Sequence, residues 1–263
     1  MCGIAGYSFG PRSRVSRTLA AQALLAGIAE RGADAAGYAF RSSDRVAVHK
    51  QRTGASGLLD GMTVPDTAGE VLVHVRDFTK GHPTILANNH PIRHGRVVGI
   101  HNGIIANDDE LFDRHGIARQ EPEMTVDSEA IFALVESFGT SPETLGQLVG
   151  AMAAAWLDER EPGALHLARG VGRPLWIARG RHELLFASTR TALEVAEDAL
   201  RTTFLKSQVE EGRLLRVVEG TIEAERRWSP DTSFRESRSL PAVRAPHEGR
   251  SCLELLSALV APA

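Results

Sequence analysis

Cysteine is nearly absent from this chain: Cys2 and Cys252 are the only two among 263 residues. Thiols so far apart, one directly behind the initiator methionine, do not make a disulfide framework. They suit a reducing compartment, and the expected location is the cytoplasm. Lysine is almost as scarce. It occurs only at positions 50, 80 and 206, so arginine carries most of the positive charge. That bias, with the abundant alanine and glycine, marks a GC-rich genome and carries no mechanism. A basic field is lacking as well. The net charge is −3 and the pI near 6.4, which argues against a nucleic-acid partner.

Long apolar runs are missing. None approaches the roughly 20 residues needed to span a bilayer, and 148–157 reads as core. No charged start precedes an apolar stretch, so neither a signal peptide nor a membrane partner is expected. No glycine-rich loop follows a predicted strand, which excludes the common phosphate- and dinucleotide-binding fingerprints. Histidines 74, 82, 90, 94 and 101 fit no zinc spacing and no cysteine joins them. The expectation is no metal and no cofactor. Internal repeats and low-complexity tracts are absent.

What is present begins at the first residues, Met1-Cys2-Gly3-Ile4-Ala5-Gly6-Tyr7. Initiator methionine is normally removed when the next side chain is small. Its removal would leave Cys2 with a free α-amine beside its own thiol. The thiolate is the nucleophilic form, and an unperturbed thiol has a pKa of about 8.5. An α-amine, at about 7.7–8.0, is partly neutral near neutral pH and can take the thiol proton. Nucleophile and base would then sit in one residue.

Hydrophobic content of 43% is enough for a sizeable core, and the length allows one large domain or two small ones. Periodicity predicts strands over 2–9, 33–40, 45–51, 70–76 and 96–101, with helices over 15–29, 107–115, 125–138 and 141–150. Further strands are expected at 151–158, 164–170, 175–179 and 184–188, then a helix over 191–199. A hairpin over 210–227 turns at Glu219-Gly220. Asn107, Asp127 and Ser128 are candidate helix caps. Residues 77–91 have no clean period and read as a long functional loop. From Ser229 the composition shifts to Pro, Arg and Ser. That stretch reads as a tail to 250, followed by a short amphipathic helix over 251–260. The order favours two mainly antiparallel sheets faced by helices.

Five motifs follow Cys2 in order: Arg31-Gly32-Ala33-Asp34-Ala35-Ala36-Gly37, His74-Val75-Arg76, Asn89-His90-Pro91, His101-Asn102-Gly103-Ile104-Ile105-Ala106-Asn107 and Val126-Asp127-Ser128-Glu129. Together they resemble the class II glutamine amidotransferases, whose glutaminase domains are N-terminal-nucleophile hydrolases. The likeness is nearest to the glutaminase domain of glucosamine-6-phosphate synthase and runs from Cys2 to about Val218. It implies a four-layer αββα sandwich (class α+β). It also implies hydrolysis of glutamine to glutamate and ammonia through a thioester on Cys2.

Site roles follow residue by residue. Asn102 and the backbone N–H of Gly103 are expected at a tight turn after a strand, as donors to the oxyanion. Arg76 can grip the glutamine α-carboxylate with paired hydrogen bonds. Asp127 can pair with the α-ammonium. The resemblance adds Thr79 beside the carboxylate and Arg31 beside the nucleophile. His101 is expected to be structural.

Two departures stand out. Relatives have Trp-Ala-Thr-His-Gly after the arginine, where this chain has Asp77-Phe78-Thr79-Lys80-Gly81. The tryptophan helps gate ammonia passage in the synthases, so the usual coupling route is in question. About 35 residues follow Trp228, too few for an acceptor domain. The expectation is a glutaminase domain over 1–228 and a tail over 229–263. The ammonia would feed a separate synthetase or transferase subunit, and homo-oligomerisation is left open. Two alternatives remain: an uncoupled amidohydrolase acting on a γ-glutamyl amide, and a non-catalytic glutamine sensor or scaffold.

Overall fold

A computed structural model describes residues 2–234 and 241–261. Its strands are β1 (Gly3–Phe9), β2 (Ala35–Ser42), β3 (Arg45–Gln51), β4 (Glu70–Arg76), β5 (Ile92–His94), β6 (Val97–Ile105), β7 (Gly150–Asp158), β8 (Ala164–Arg169), β9 (Trp176–Arg179), β10 (Glu183–Ala187), β11 (Leu205–Gln208), β12 (Arg213–Val218) and β13 (Thr221–Arg227). Its helices are α1 (Arg17–Ile28), α2 (Ser56–Leu59), α3 (Asp108–His115), α4 (Glu129–Phe138), α5 (Pro142–Leu145), α6 (Arg190–Leu200) and α7 (Pro246–Val260).

The strands form a seven-stranded sheet in the order β11-β9-β10-β1-β4-β2-β3 and a six-stranded sheet in the order β13-β12-β8-β7-β6-β5. Neighbours within both are antiparallel. Side chains alternate across a strand, so each strand feeds two layers. Tyr7 and Phe9 of β1 and Val71, Val73 and Val75 of β4 pack with Leu24, Leu25 and Ile28 of α1. Met152, Ala154 and Trp156 of β7 pack with Ile131, Phe132 and Val135 of α4. Ile4, Leu72, Val98, Ile100, Ala153, Ala155 and Phe186 form a third cluster, between the sheets. Three apolar layers separate four structural ones, and the expected αββα sandwich follows.

Several local expectations are corrected. Asn102 and Gly103 make no turn: both lie inside β6, opposite Ala153 and Met152 of β7. The cross-strand ladder outweighs the Asn-Gly turn preference. The helix expected from Thr125 starts at Glu129, because the Asp127 carboxylate is taken by the Ile105 N–H at 2.7 Å. Asn107 makes no side-chain cap on α3. Its amide instead bonds the 147–149 backbone, through Gln147 O and Val149 N–H, both at 2.9 Å. The helix expected over 141–150 is the single turn of α5, and Gly150 already belongs to β7.

The stretch read as a tail falls partly on 235–240, outside the described residues. Its helix is longer than periodicity suggests, starting at Pro246, where proline suits the first turn. One face of α7 is buried: Cys252 and Leu256 join the cluster beneath α1, while Leu253 and Leu259 stay exposed. Among the described residues, no helix is long and apolar enough to cross a membrane.

Candidate active site

Strand parity assembles the site. Ile4 and Leu72 face the layer between the sheets, as do Val98 and Ile100. By alternation Cys2, His74, Arg76 and Asn102 share that layer. The β1–β4 register pairs Gly3 with Val75 and Ile4 with His74, which brings Cys2 alongside Arg76. The site is therefore one end of the inter-sheet layer.

Cys2 is partly buried, and its Sγ lies 3.5 Å from the carbonyl oxygen of Asp77. Burial pushes the thiol up from its ordinary pKa. The Asp77 backbone and the positive charge of Arg76 oppose that shift, while the Asp77 carboxylate adds to it. Arg31, itself buried, donates from Nε to the Cys2 carbonyl at 2.9 Å and so fixes the nucleophile's backbone.

Gly32 explains why this turn carries no side chain. A Cβ there would lie 2.3 Å from the Arg76 carbonyl oxygen and 2.7 Å from the Asp77 nitrogen. The backbones at 32 and 76–77 touch, and Asp34 N–H donates to the same Arg76 oxygen at 3.0 Å. Asp34 Oδ2 then accepts from Phe78 N–H at 2.9 Å.

Arg76 is 2% exposed. Its guanidinium donates to Asn89 Oδ1 at 2.5 Å, to Lys80 O at 2.9 Å and to Gly81 O. Three groups of the 77–91 region therefore hold the fork in place. Burial lowers the Arg76 pKa, and the charges of Cys2, Asp127 and Asp34 restore part of it. Arg76 is thus the charge that Cys2 and Asp127 each act on.

Asp127 is buried, and its pKa is raised to about 6, chiefly by burial, with the Ile105 N–H bond opposing. Asn102 is fully buried. Neither its amide nitrogen nor its amide oxygen has a partner among the described residues. A buried amide left unbonded is costly and marks a group kept for a ligand. Gly103 has φ 150°, a region that favours glycine, and a Cβ would fall 1.8 Å from Ala151 O.

Thr79 is exposed and makes no side-chain hydrogen bond among the described residues. Lys80 leaves its ammonium on Asp108 and Asp109 at 2.7 and 2.8 Å, where Arg119 also reaches both acids. The histidines are structural in geometry. His74 stacks on His90 with centroids 4.1 Å apart and meets His101 O at 3.2 Å. His101 Nδ1 meets Ser128 Oγ at 2.8 Å. Burial pushes His74 and His101 down to about 3, so both are neutral near pH 7.

Sequence reasoning passed over Asn89 and Asp34, although both lie in quoted motifs. It had no signal for Ser188, whose Oγ accepts from Ile4 N–H at 2.9 Å and steadies β1 just behind the nucleophile.

Residues 82–195 match the glutamine amidotransferase domain family. The glutamine–fructose-6-phosphate aminotransferase (isomerizing) of Vibrio cholerae is 32% identical, over 73% of this chain and 32% of its own length. Its counterpart from Bacteroides thetaiotaomicron is 29% identical over 73% of this chain and 33% of its own. The chain thus spans about a third of the length of these relatives.

Two solved structures share the fold at 20% identity, each covering 88% of this chain and 50% of its own. They are the glutamine phosphoribosylpyrophosphate amidotransferase of B. subtilis complexed with ADP and GMP, at TM-score 0.69, and an allosteric regulatory enzyme of purine biosynthesis, at 0.71. The fold, the motifs and these relatives define a class II glutamine amidotransferase of the N-terminal-nucleophile type. Within that class the chain is similar to about a third of the length of the glutamine–fructose-6-phosphate aminotransferases.

Proposed function

We propose that this protein hydrolyses the side-chain amide of glutamine through a thioester on Cys2 and delivers the ammonia to a separate synthetase or transferase. In this reading residues 1–228 are the glutaminase unit and 229–263 a C-terminal extension. One observation supports the chemistry: by strand parity Cys2, Arg76 and the unbonded Asn102 amide face the same layer between the sheets, and the β1–β4 register sets Cys2 alongside Arg76.

With Met1 removed, the Cys2 α-amine takes the thiol proton. The sulfur attacks the amide carbon of glutamine, and the carbonyl oxygen becomes an oxyanion. Asn102 Nδ2 and the Gly103 N–H donate to that oxyanion. The ammonium of Cys2 then protonates the leaving nitrogen, the C–N bond breaks and ammonia departs. Water attacks the thioester with the amine again as base, and glutamate leaves as the thiol is restored. Arg76 orients the α-carboxylate and Asp127 the α-ammonium throughout, with Thr79 assisting at the carboxylate. Lys80 O and Gly81 O already occupy part of the Arg76 fork, so the 77–81 loop adjusts as substrate seats.

A second reading is favoured by Asp77, whose carboxylate stands next to the nucleophile: an uncoupled amidohydrolase acting on a γ-glutamyl amide. One experiment separates the two. Glutamate release is measured with glutamine and with a series of γ-glutamyl amides, using Cys2→Ala as control. Preference for glutamine, lost in Cys2→Ala, supports the proposal. Preference for a substituted amide favours the second reading, and turnover by Cys2→Ala sinks both. Ammonia delivery is tested by pull-down of a synthetase or transferase that accelerates glutaminase turnover.

A further inference from the structure

The carboxylate grip of Arg76 is partly filled by the protein itself. A carboxylate held by paired hydrogen bonds lies on one of two guanidinium edges, Nε with Nη2 or Nη1 with Nη2. Both edges use Nη2. That nitrogen donates to Lys80 O at 2.9 Å and to Gly81 O, while Nη1 donates to Asn89 Oδ1 at 2.5 Å. Nη2 has two protons, and two carbonyls are already on it. A paired grip on a substrate carboxylate therefore requires one of them to leave.

The two carbonyls are held differently. Gly81 is packed in place by its backbone: a Cβ there would lie 2.9 Å from both Asn88 Cγ and the Val126 nitrogen. Asn88 Oδ1 in turn accepts from the Thr125 and Val126 N–H groups, at 2.8 and 3.1 Å. Lys80 is tethered by its side chain. Its Nζ reaches Asp108 Oδ1 and Oδ2 at 2.8 and 2.7 Å and Asp109 Oδ2 at 2.8 Å. Both acids lie in the first turn of α3. Arg119 bonds each of them too, at 2.9 and 2.8 Å, and also Val126 O at 2.9 Å. The anchor is thus fixed independently of Lys80.

We propose that Lys80 sets the affinity for glutamine: its ammonium, latched on Asp108 and Asp109, holds the Lys80 carbonyl on Arg76 in competition with the substrate α-carboxylate. Lys80 is a positioning residue, acting through Arg76. The identity of the competing ligand rests on the glutaminase reading, and the latch itself does not.

Releasing the latch exposes no bare acid, because Arg119 stays on both. It lets the Lys80 carbonyl swing away while Gly81 keeps its packing, and one Nη2 proton is freed for substrate. The tether is partly exposed, Lys80 at 38% and Asp109 at 75%, so its effect on affinity is a few-fold. The Lys80 charge also helps to hold the Asp127 pKa down. Measurements at pH 8 set that contribution aside, since Asp127 titrates near 6 and is ionised with or without Lys80.

The test uses the full-length protein and two readouts. One is the KM and kcat for glutamate release from glutamine at pH 8. The other, free of turnover, is the rate of Arg76 modification by phenylglyoxal without substrate, followed by peptide mass spectrometry. Arg31, equally buried, is the internal control. Lys80→Met is expected to lower KM by about 2–5-fold with kcat little altered, and to speed Arg76 modification by a similar factor. Lys80→Arg, which keeps the cation, should restore wild-type values. Asp109→Asn removes the exposed half of the anchor and should shift both readouts in the same direction by less.

A KM that is unchanged or raised in Lys80→Met overturns the assignment, as does an unchanged rate at Arg76. Faster modification of Arg31 in the same variant also overturns it, because the site as a whole would then have loosened. If the wild type releases no glutamate, the glutaminase reading fails, while the Arg76 rates still decide whether Lys80 is the latch.

Discussion

Asp127→Asn separates what the site does for the substrate from what it costs the fold. The carboxyl is 3% exposed, and its pKa rises from 3.8 to about 6 on folding, mainly through burial. The folded chain therefore holds this proton more tightly than the unfolded one. Stability from that preference is complete below about pH 4 and is lost as pH rises to about 6. Above pH 6 the ionised group costs about 3 kcal/mol, from about two units at 1.36 kcal/mol each.

Asparagine keeps an oxygen for the Ile105 N–H and removes the charge. Without substrate, Asp127→Asn should be more stable than wild type above about pH 6, by up to about 3 kcal/mol, and the gain should vanish below about pH 4. Denaturant melts at a series of pH values measure it. Substrate binding moves the other way. An ionised carboxylate on the α-ammonium is worth about 1.5–3 kcal/mol, so the KM for glutamine should rise about 10–100-fold with kcat little altered. In wild type, KM should climb about tenfold per pH unit below about pH 6, as Asp127 takes up its proton. A variant less stable than wild type at every pH, or one with unchanged KM, would refute this reasoning.

Two further substitutions probe the nucleophile's surroundings. Asn102→Ala removes an amide that has no partner among the described residues, so melts should show little loss of stability, while kcat falls by about 100–1,000-fold at nearly constant KM. Gly32→Ala drives a methyl to 2.3 Å from the Arg76 carbonyl. It should cost about 1–3 kcal/mol in a denaturant melt and raise KM by moving Arg76, since overpacked backbone must shift.

Much of this was legible in the chain because the site is built from strand ends. The apolar run over 70–76 marked β4, the stretch 96–101 marked the first part of β6, and the motifs singled out Cys2, Arg76, Asn102 and Asp127 as candidates. Local rules misled where tertiary contacts compete for the same group. Asn102-Gly103 carries a turn signal, yet pairing with Ala153 and Met152 keeps it extended. Asp127 has the chemistry of a helix cap, yet its oxygen goes to Ile105 on another element. The ion pair of Arg244 with Asp77 left no trace, because an exposed arginine in a Pro- and Ser-rich stretch gives no hint of a partner 167 positions away.

The central claim is a covalent step at Cys2, and intact-mass spectrometry of a rapidly quenched reaction tests it most directly. After mixing with glutamine, a chain lacking Met1 should gain one glutamyl group, mapped by peptide analysis to Cys2 and lost on further incubation as glutamate appears. Glutamate release with no adduct on Cys2, or an adduct that persists in Cys2→Ala, would contradict the account.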